Sequence, residues 1–190
     1  MEYVVLGRTG LQVNKNGFGA LPIQRISKEE AGKLVKKAFE NGINYFDTAR
    51  AYSDSEEKMG AALADVRDQV IISTKTAAQD AKEFWKDLEE SLTKLQTDYI
   101  DFYHMWCMLN LESWERHMEV IYRFFEEAKA EGLIRNIVFS SHMEGNDIEK
   151  VVETGKFKGM LIGYNALNYR FRQSGIEAAH AKGMGVVVMN

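Results

Sequence analysis

Asn44-Tyr45-Phe46-Asp47-Thr48-Ala49-Arg50-Ala51-Tyr52 decides how this chain is read. Its apolar, aromatic first half reads as a short buried strand ending in an acid. A tyrosine follows five residues later, on the loop before the next helix. A second run, Val70-Ile71-Ile72-Ser73-Thr74-Lys75, also ends in an ionisable residue. If the two strands are parallel neighbours, Asp47, Tyr52 and Lys75 gather at one rim of one sheet, where α/β folds carry their chemistry.

The same unit repeats outward from this stretch. Residues 3–14 alternate apolar and polar around Gly7 and Thr9-Gly10, which predicts an N-terminal β-hairpin. Residues 17–21 read as the first buried strand, and Pro22, the only proline, marks the loop after it. Ser27, with Glu30 three residues on, forms a capping-box pattern ahead of a helix that Asn41-Gly42 ends. Strands are then expected at 44–49, 70–75, 99–105, 135–140, 160–164 and 185–189, with helices at 55–64, 81–95, 111–131, 146–154 and 170–182.

The reading is seven strands alternating with six helices. Rim positions Thr48, Lys75, Trp106, Ser140, Tyr164 and Met189 recur every 24 to 34 residues, the length of a βα unit. Near-continuous apolar strands suit a parallel sheet covered on both faces. The expected class is therefore α/β, of the (β/α)8 TIM-barrel type. A closed barrel needs eight strands and about 250 residues. With 190 residues, the expectation is a single barrel domain over 1–190 that lacks the eighth strand and has an open seam. A doubly wound open sheet is the alternative, although no G-x-G-x-x-G turn leads from the first strand into its helix.

Composition narrows the class of function. A net charge of −4 argues against nucleic acid as a partner. No apolar run approaches the length of a membrane span, and the N-terminus lacks the regions of a signal peptide, so a cytoplasmic protein is expected. The single cysteine, Cys107, permits no internal disulfide and reads as a buried, inert thiol. The four histidines lack metal-ligand spacing.

Asp47, Tyr52 and Lys75 suggest a specific chemistry. A free tyrosine titrates near pH 10 and is a poor proton donor at neutrality, but an ammonium beside its hydroxyl favours the phenolate. A carboxylate beside the lysine keeps that lysine charged and aimed. Such a trio could protonate a developing alkoxide. A buried ion pair next to an unrelated loop tyrosine is the plainer alternative.

Phe46-Asp47-Thr48-Ala49-x-x-Tyr52, followed by Ser55-Glu56-Glu57 and Gly60, resembles the signature of the aldo-keto reductases. Ile72-Ser73-Thr74-Lys75-Thr76 resembles that family's lysine strand. Leu6-Gly7-Arg8-Thr9-Gly10-Leu11 is similar to the hairpin that covers the bottom of its barrel. Asp98-Tyr99-Ile100-Asp101-Phe102-Tyr103 and Gly132-Leu133-Ile134-Arg135 with Phe139-Ser140-Ser141 resemble its fourth and fifth strands.

The resemblance implies an oxidoreductase that passes hydride from NADPH to a small aldehyde or ketone. Tyr52 would be the general acid, and Lys75 and Asp47 would tune it. The family's fourth catalytic member, a histidine, falls on Trp106. His104, two residues earlier on the same side of the strand, is either the candidate to orient a carbonyl from one layer deeper or a core histidine satisfied by a neighbour. The expected cofactor contacts are Asp47, Ser140, Ser141 and Met189. Ser141 stands where the family has asparagine, Leu161 where it has glutamine, and Met189 where an aromatic residue stacks on nicotinamide. His142 is a further candidate donor. This combination resembles the branch with a C-terminal iron–sulfur domain, whose cysteines are absent here, and no cluster is expected.

Two other readings stand beside this one. Lys75 could be a Schiff-base nucleophile, although a neighbouring carboxylate opposes the neutral amine that role needs. Or the open seam could make the chain an interaction module that self-associates.

Overall fold

The computed structural model describes residues 2–189, excepting the side chains of Cys107 and Met108, so the expectation for the Cys107 thiol lies outside the described residues. Strands β1 (Tyr3–Val5) and β2 (Gln12–Asn14) pair antiparallel and form the expected hairpin. Gly7, at φ 52°, lets the hairpin's turn press against the backbone at the start of the last strand, where any side chain would collide with Gly185.

Seven strands form one parallel sheet in sequence order: β3 (Phe18–Gly19), β4 (Tyr45–Asp47), β5 (Ile71–Thr76), β6 (Ile100–Met108), β7 (Ile134–Ser141), β8 (Gly159–Gly163) and β9 (Gly185–Met189). Each is joined to the next by helix: α1 (Lys28–Glu40), α2 (Ser55–Leu63), α3 (Ala81–Leu95), α4 (Leu111–Val120) with α5 (Tyr122–Ala130), α6 (Gly145–Glu153) and α7 (Tyr169–Ala181). Neighbouring strands that are consecutive in sequence, each with a helical crossover, make the winding of a (β/α) barrel. Among the described residues β3 and β9 are the outermost strands.

Two cores separate the faces of this curled sheet. The larger lies between sheet and helices and includes Phe46, Ile72, Tyr103, Phe139, Phe84 and Phe125. The smaller lies inside the curl, where the hairpin's Leu6 and Val13 plug the bottom against Tyr45, Ile71, Phe102 and Val138. Side chains alternate along a strand. Asp47, Ser73, Lys75, His104, Trp106, Ser140 and Met189 therefore share the inner face, above this plug.

Local chemistry explains most element ends. Ser27 and Glu30 exchange both bonds of a capping box at α1, and Asp80 and Asn110 cap α3 and α4. Three boundaries differ from the sequence reading. The first strand shrinks to Phe18–Gly19 because Pro22 starts a 3-10 turn over Leu21–Arg25. The expected helix over 111–131 breaks at Ile121, where φ widens to −114° between α4 and α5. That turn brings Tyr122 and Phe124 into the core, off the stripe set by Trp114. Strand β6 also runs on to Met108, and its register with β7 slips between Met105 and Met108, at Trp106.

Candidate active site

Asp47 closes β4, and Lys75 lies near the end of the neighbouring β5. The Lys75 Nζ donates to Asp47 Oδ2 at 2.6 Å and also to the Thr48 carbonyl oxygen. Lys75 is 1% exposed, whereas the Asp47 side chain keeps 16% of its surface. Two acceptors on one buried Nζ suit a held ammonium and not a free nucleophilic amine.

Tyr52 sits on the loop between β4 and α2. Its ring is half-buried, with the centroid 5.5 Å from Lys75 Nζ. Trp106 meets it edge-on from β6, ring centroids 6.4 Å apart. The loop is tied at both ends. The Thr48 and Arg50 N–H groups extend the ladder onto the Ser73 and Lys75 carbonyls, and the Ser55 N–H closes on the Tyr52 carbonyl. The Thr48 hydroxyl donates to Ser55 Oγ, and that hydroxyl donates to the Ala20 carbonyl.

An ion cluster beneath the loop holds it further. Glu56 is 0% exposed. Its carboxylate pairs with Arg50 and accepts from Thr74 and Ser91 hydroxyls, each at 2.7 Å. Arg50 also reaches Glu90 at 3.0 Å. Burial works against the Arg50 charge, but the carboxylates of Glu56, Glu90 and Asp87 together outweigh it and raise the guanidinium above its ordinary range.

His104 does not reach the rim. It is 1% exposed, and its Nε2 lies 2.9 Å from Ser73 Oγ. Ser73 Oγ lies in turn 2.7 Å from Asp47 Oδ1. Burial, and then the Lys75 charge, push the imidazole well below its usual range, so it is neutral. The Phe139 backbone beside the ring works in the opposite direction without meeting hydrogen-bond geometry at Nδ1.

Of the remaining candidates, Ser140 and Met189 lie along the same face. Ser140 is buried on β7, paired in register with Leu161, and Met189 stands half-buried opposite Gly163. Ser141 accepts the Met143 N–H in the turn that follows β7. His142 is exposed, and partial burial and Arg172 lower its pKa. A cleft of about 570 Å³ opens between β3 and β9 above the hairpin, and Asp47, Tyr52, Leu161 and Met189 border it. Among the described residues no group of three His, Cys, Asp or Glu is placed to hold a metal ion, and no helix is long and apolar enough to cross a membrane.

The structure thus brings Asp47, Lys75 and Tyr52 together, adds Trp106, and joins His104 to them only through Ser73. Sequence reading passed over Ser73 and the Arg50–Glu56 pair. Ser73 was detectable in principle, since it stands two residues before Lys75 and so faces the same way.

Comparison with known proteins agrees with this fold. The sequence model of the Aldo/keto reductase family matches residues 15–190. The chain is 30% identical over 179 residues to the uncharacterized oxidoreductase YqkF of Bacillus subtilis, covering 87% of this chain and 56% of that protein. It is 36% identical over 121 residues to the methylglyoxal reductase DkgA of Escherichia coli, covering 62% of this chain and 42% of that one. The chain thus spans about half the length of these curated relatives. The holo form of aldo-keto reductase AKR11C1 from Bacillus halodurans superposes with a TM-score of 0.86 at 27% identity, over 99% of this chain and 65% of that one.

Proposed function

The chain belongs to the aldo/keto reductase family, and on that premise we propose that its rim site is the proton-donating centre of an oxidoreductase that reduces a small aldehyde or ketone with NADPH. The observation that carries this reading is the buried Lys75–Asp47 pair lying under the Tyr52 ring.

Tyr52 is the general acid. It stands at the border of the cleft, where a carbonyl oxygen can meet its hydroxyl. As negative charge develops on that oxygen, Tyr52 gives up its proton, and the Lys75 ammonium stabilises the phenolate left behind. Asp47 and the Thr48 carbonyl hold Lys75 in place throughout, so little reorganisation is needed when charge appears. Trp106 walls the site on the side where a histidine would otherwise offer a second donor.

The donor set fits a nicotinamide. Met189 and Leu161 give the cleft an apolar wall, and Ser140 is a buried hydroxyl on the same inner face. Asp47, Ser140, Ser141 and Met189 would hold the cofactor. When bound, it supplies the hydride. A cytoplasmic location belongs to the same reading.

The free outer edges of β3 and β9 among the described residues favour one second reading, in which the seam pairs with another copy of the chain. Light scattering across a concentration series tests it: growth in mass is expected if it holds, and a constant monomer mass refutes it. The reductase reading is tested by NADPH consumption with a panel of small aldehydes and ketones. Turnover that vanishes in Lys75→Met is expected, and turnover equal in that variant would overturn it.

A further inference from the structure

We propose that Ser73 and His104 are positioning residues for Asp47: the buried imidazole donates its Nε2 proton to Ser73, and Ser73 donates its own to Asp47, which turns the carboxylate toward Lys75. This rests on the reading of the rim site given above.

The direction of the chain follows from counting protons. An ionised carboxylate only accepts, and a serine hydroxyl has a single proton to give. At 2.7 Å from Asp47 Oδ1, the Ser73 hydroxyl spends that proton on the carboxylate. The contact between Ser73 Oγ and His104 Nε2, at 2.9 Å, then needs its proton from the imidazole. A neutral imidazole has one N–H, so in this arrangement Nδ1 is bare; it is buried, and the Phe139 backbone beside the ring does not meet it at hydrogen-bond geometry.

The geometry also separates this role from direct catalysis. His104 is 1% exposed and does not border the cleft, while Trp106 occupies the rim position above it on the same face. Asp47 is the member of the pair that solvent can reach, so its carboxylate is free to rotate unless both oxygens are engaged. Lys75 engages Oδ2 and Ser73 engages Oδ1. With Ser73's hydroxyl rotor fixed by His104, the carboxylate has one orientation, and Lys75 is aimed by it.

The test uses the whole chain and two kinds of readout. In ¹⁵N-labelled native protein, the His104 imidazole is expected to show a protonated Nε2 and a bare Nδ1, unchanged across neutral pH. In Ser73→Ala that preference is expected to be lost. A native proton on Nδ1, or an unchanged tautomer in Ser73→Ala, would overturn the proposal.

Turnover supplies the second readout. Ser73→Ala and His104→Leu are expected to lower kcat about tenfold with KM unchanged, less than the ~10²-fold cost of a full ångström of misplacement. His104→Gln, which keeps an N–H donor, is expected to recover most of the loss. Unchanged kcat in both folded variants, or equal loss in His104→Gln and His104→Leu, would overturn the proposal. A native chain without turnover refutes the reductase reading instead, and the imidazole spectrum still decides the proton's place.

Discussion

Trp106 meets Tyr52 edge-on, with ring centroids 6.4 Å apart and ring planes at 88°. The register slip between β6 and β7 falls at the same place. An aromatic wall here packs against the tyrosine and offers no imidazole donor to a carbonyl oxygen. Trp106→Ala is expected to cost about 1 kcal/mol from the lost aromatic pair and to raise KM as the tyrosine gains freedom. Urea denaturation and steady-state kinetics read the two effects separately.

Removing one member of a buried ion pair strands the other. Lys75→Met leaves Asp47 beside an apolar side chain and is expected to destabilise the fold by about 3 kcal/mol. Adding Asp47→Asn in the same chain is expected to recover part of that loss. A double-mutant cycle in urea measures the coupling.

Glu56 has a different task. It is fully buried and ties the Tyr52 loop to β5 and α3 through Arg50, Thr74 and Ser91. Glu56→Ala is expected to cost about 3 kcal/mol, because Arg50 loses its buried partner. The loop around Ser53, at φ 41°, is expected to become the first site of limited proteolysis.

The neutral state of His104 gives stability a pH signature. Its folded pKa lies well below 6.5, first because of burial and second because of Lys75. Above 6.5 neither state is protonated, and His104 adds no pH dependence. Below 6.5 the unfolded chain takes a proton that the folded one refuses, so stability falls as pH drops, by up to about 1.4 kcal/mol per pH unit for one proton. His142, lowered by burial and Arg172, adds to the same trend. The exposed carboxylates Glu30, Asp54 and Glu57 have lowered values and act at more acid pH. Urea unfolding at pH 7 and pH 5 is expected to show a smaller loss in His104→Gln than in the native chain.

Much of this was legible in the sequence, for physical reasons. Asp47 and Lys75 could be placed together because each ends an apolar run, and parallel neighbours put their carboxyl ends at one rim. The capping box at Ser27 was legible because its chemistry is local. The break at Ile121 was not, because the apolar stripe through Trp114, Ile121, Phe125 and Ala128 continues in phase across it. The depth of His104 was legible, one layer below Trp106, but its pairing with Ser73 was not, since alternation gives the face of a strand and not the contacts made there. Ser73 could be placed on the face of Lys75 by alternation, but a lone serine in a strand does not announce its role until its two partners are seen.

Everything proposed for the rim depends on Tyr52 giving the proton. Single-turnover reduction of a small aldehyde by NADPH, in native protein and in Tyr52→Phe, measures it most directly. Both chains are expected to bind the cofactor saturably, since the substitution removes only the hydroxyl. Alcohol should form in the native chain and fall by about 10²-fold or more in Tyr52→Phe. Equal alcohol formation by the two would contradict the account.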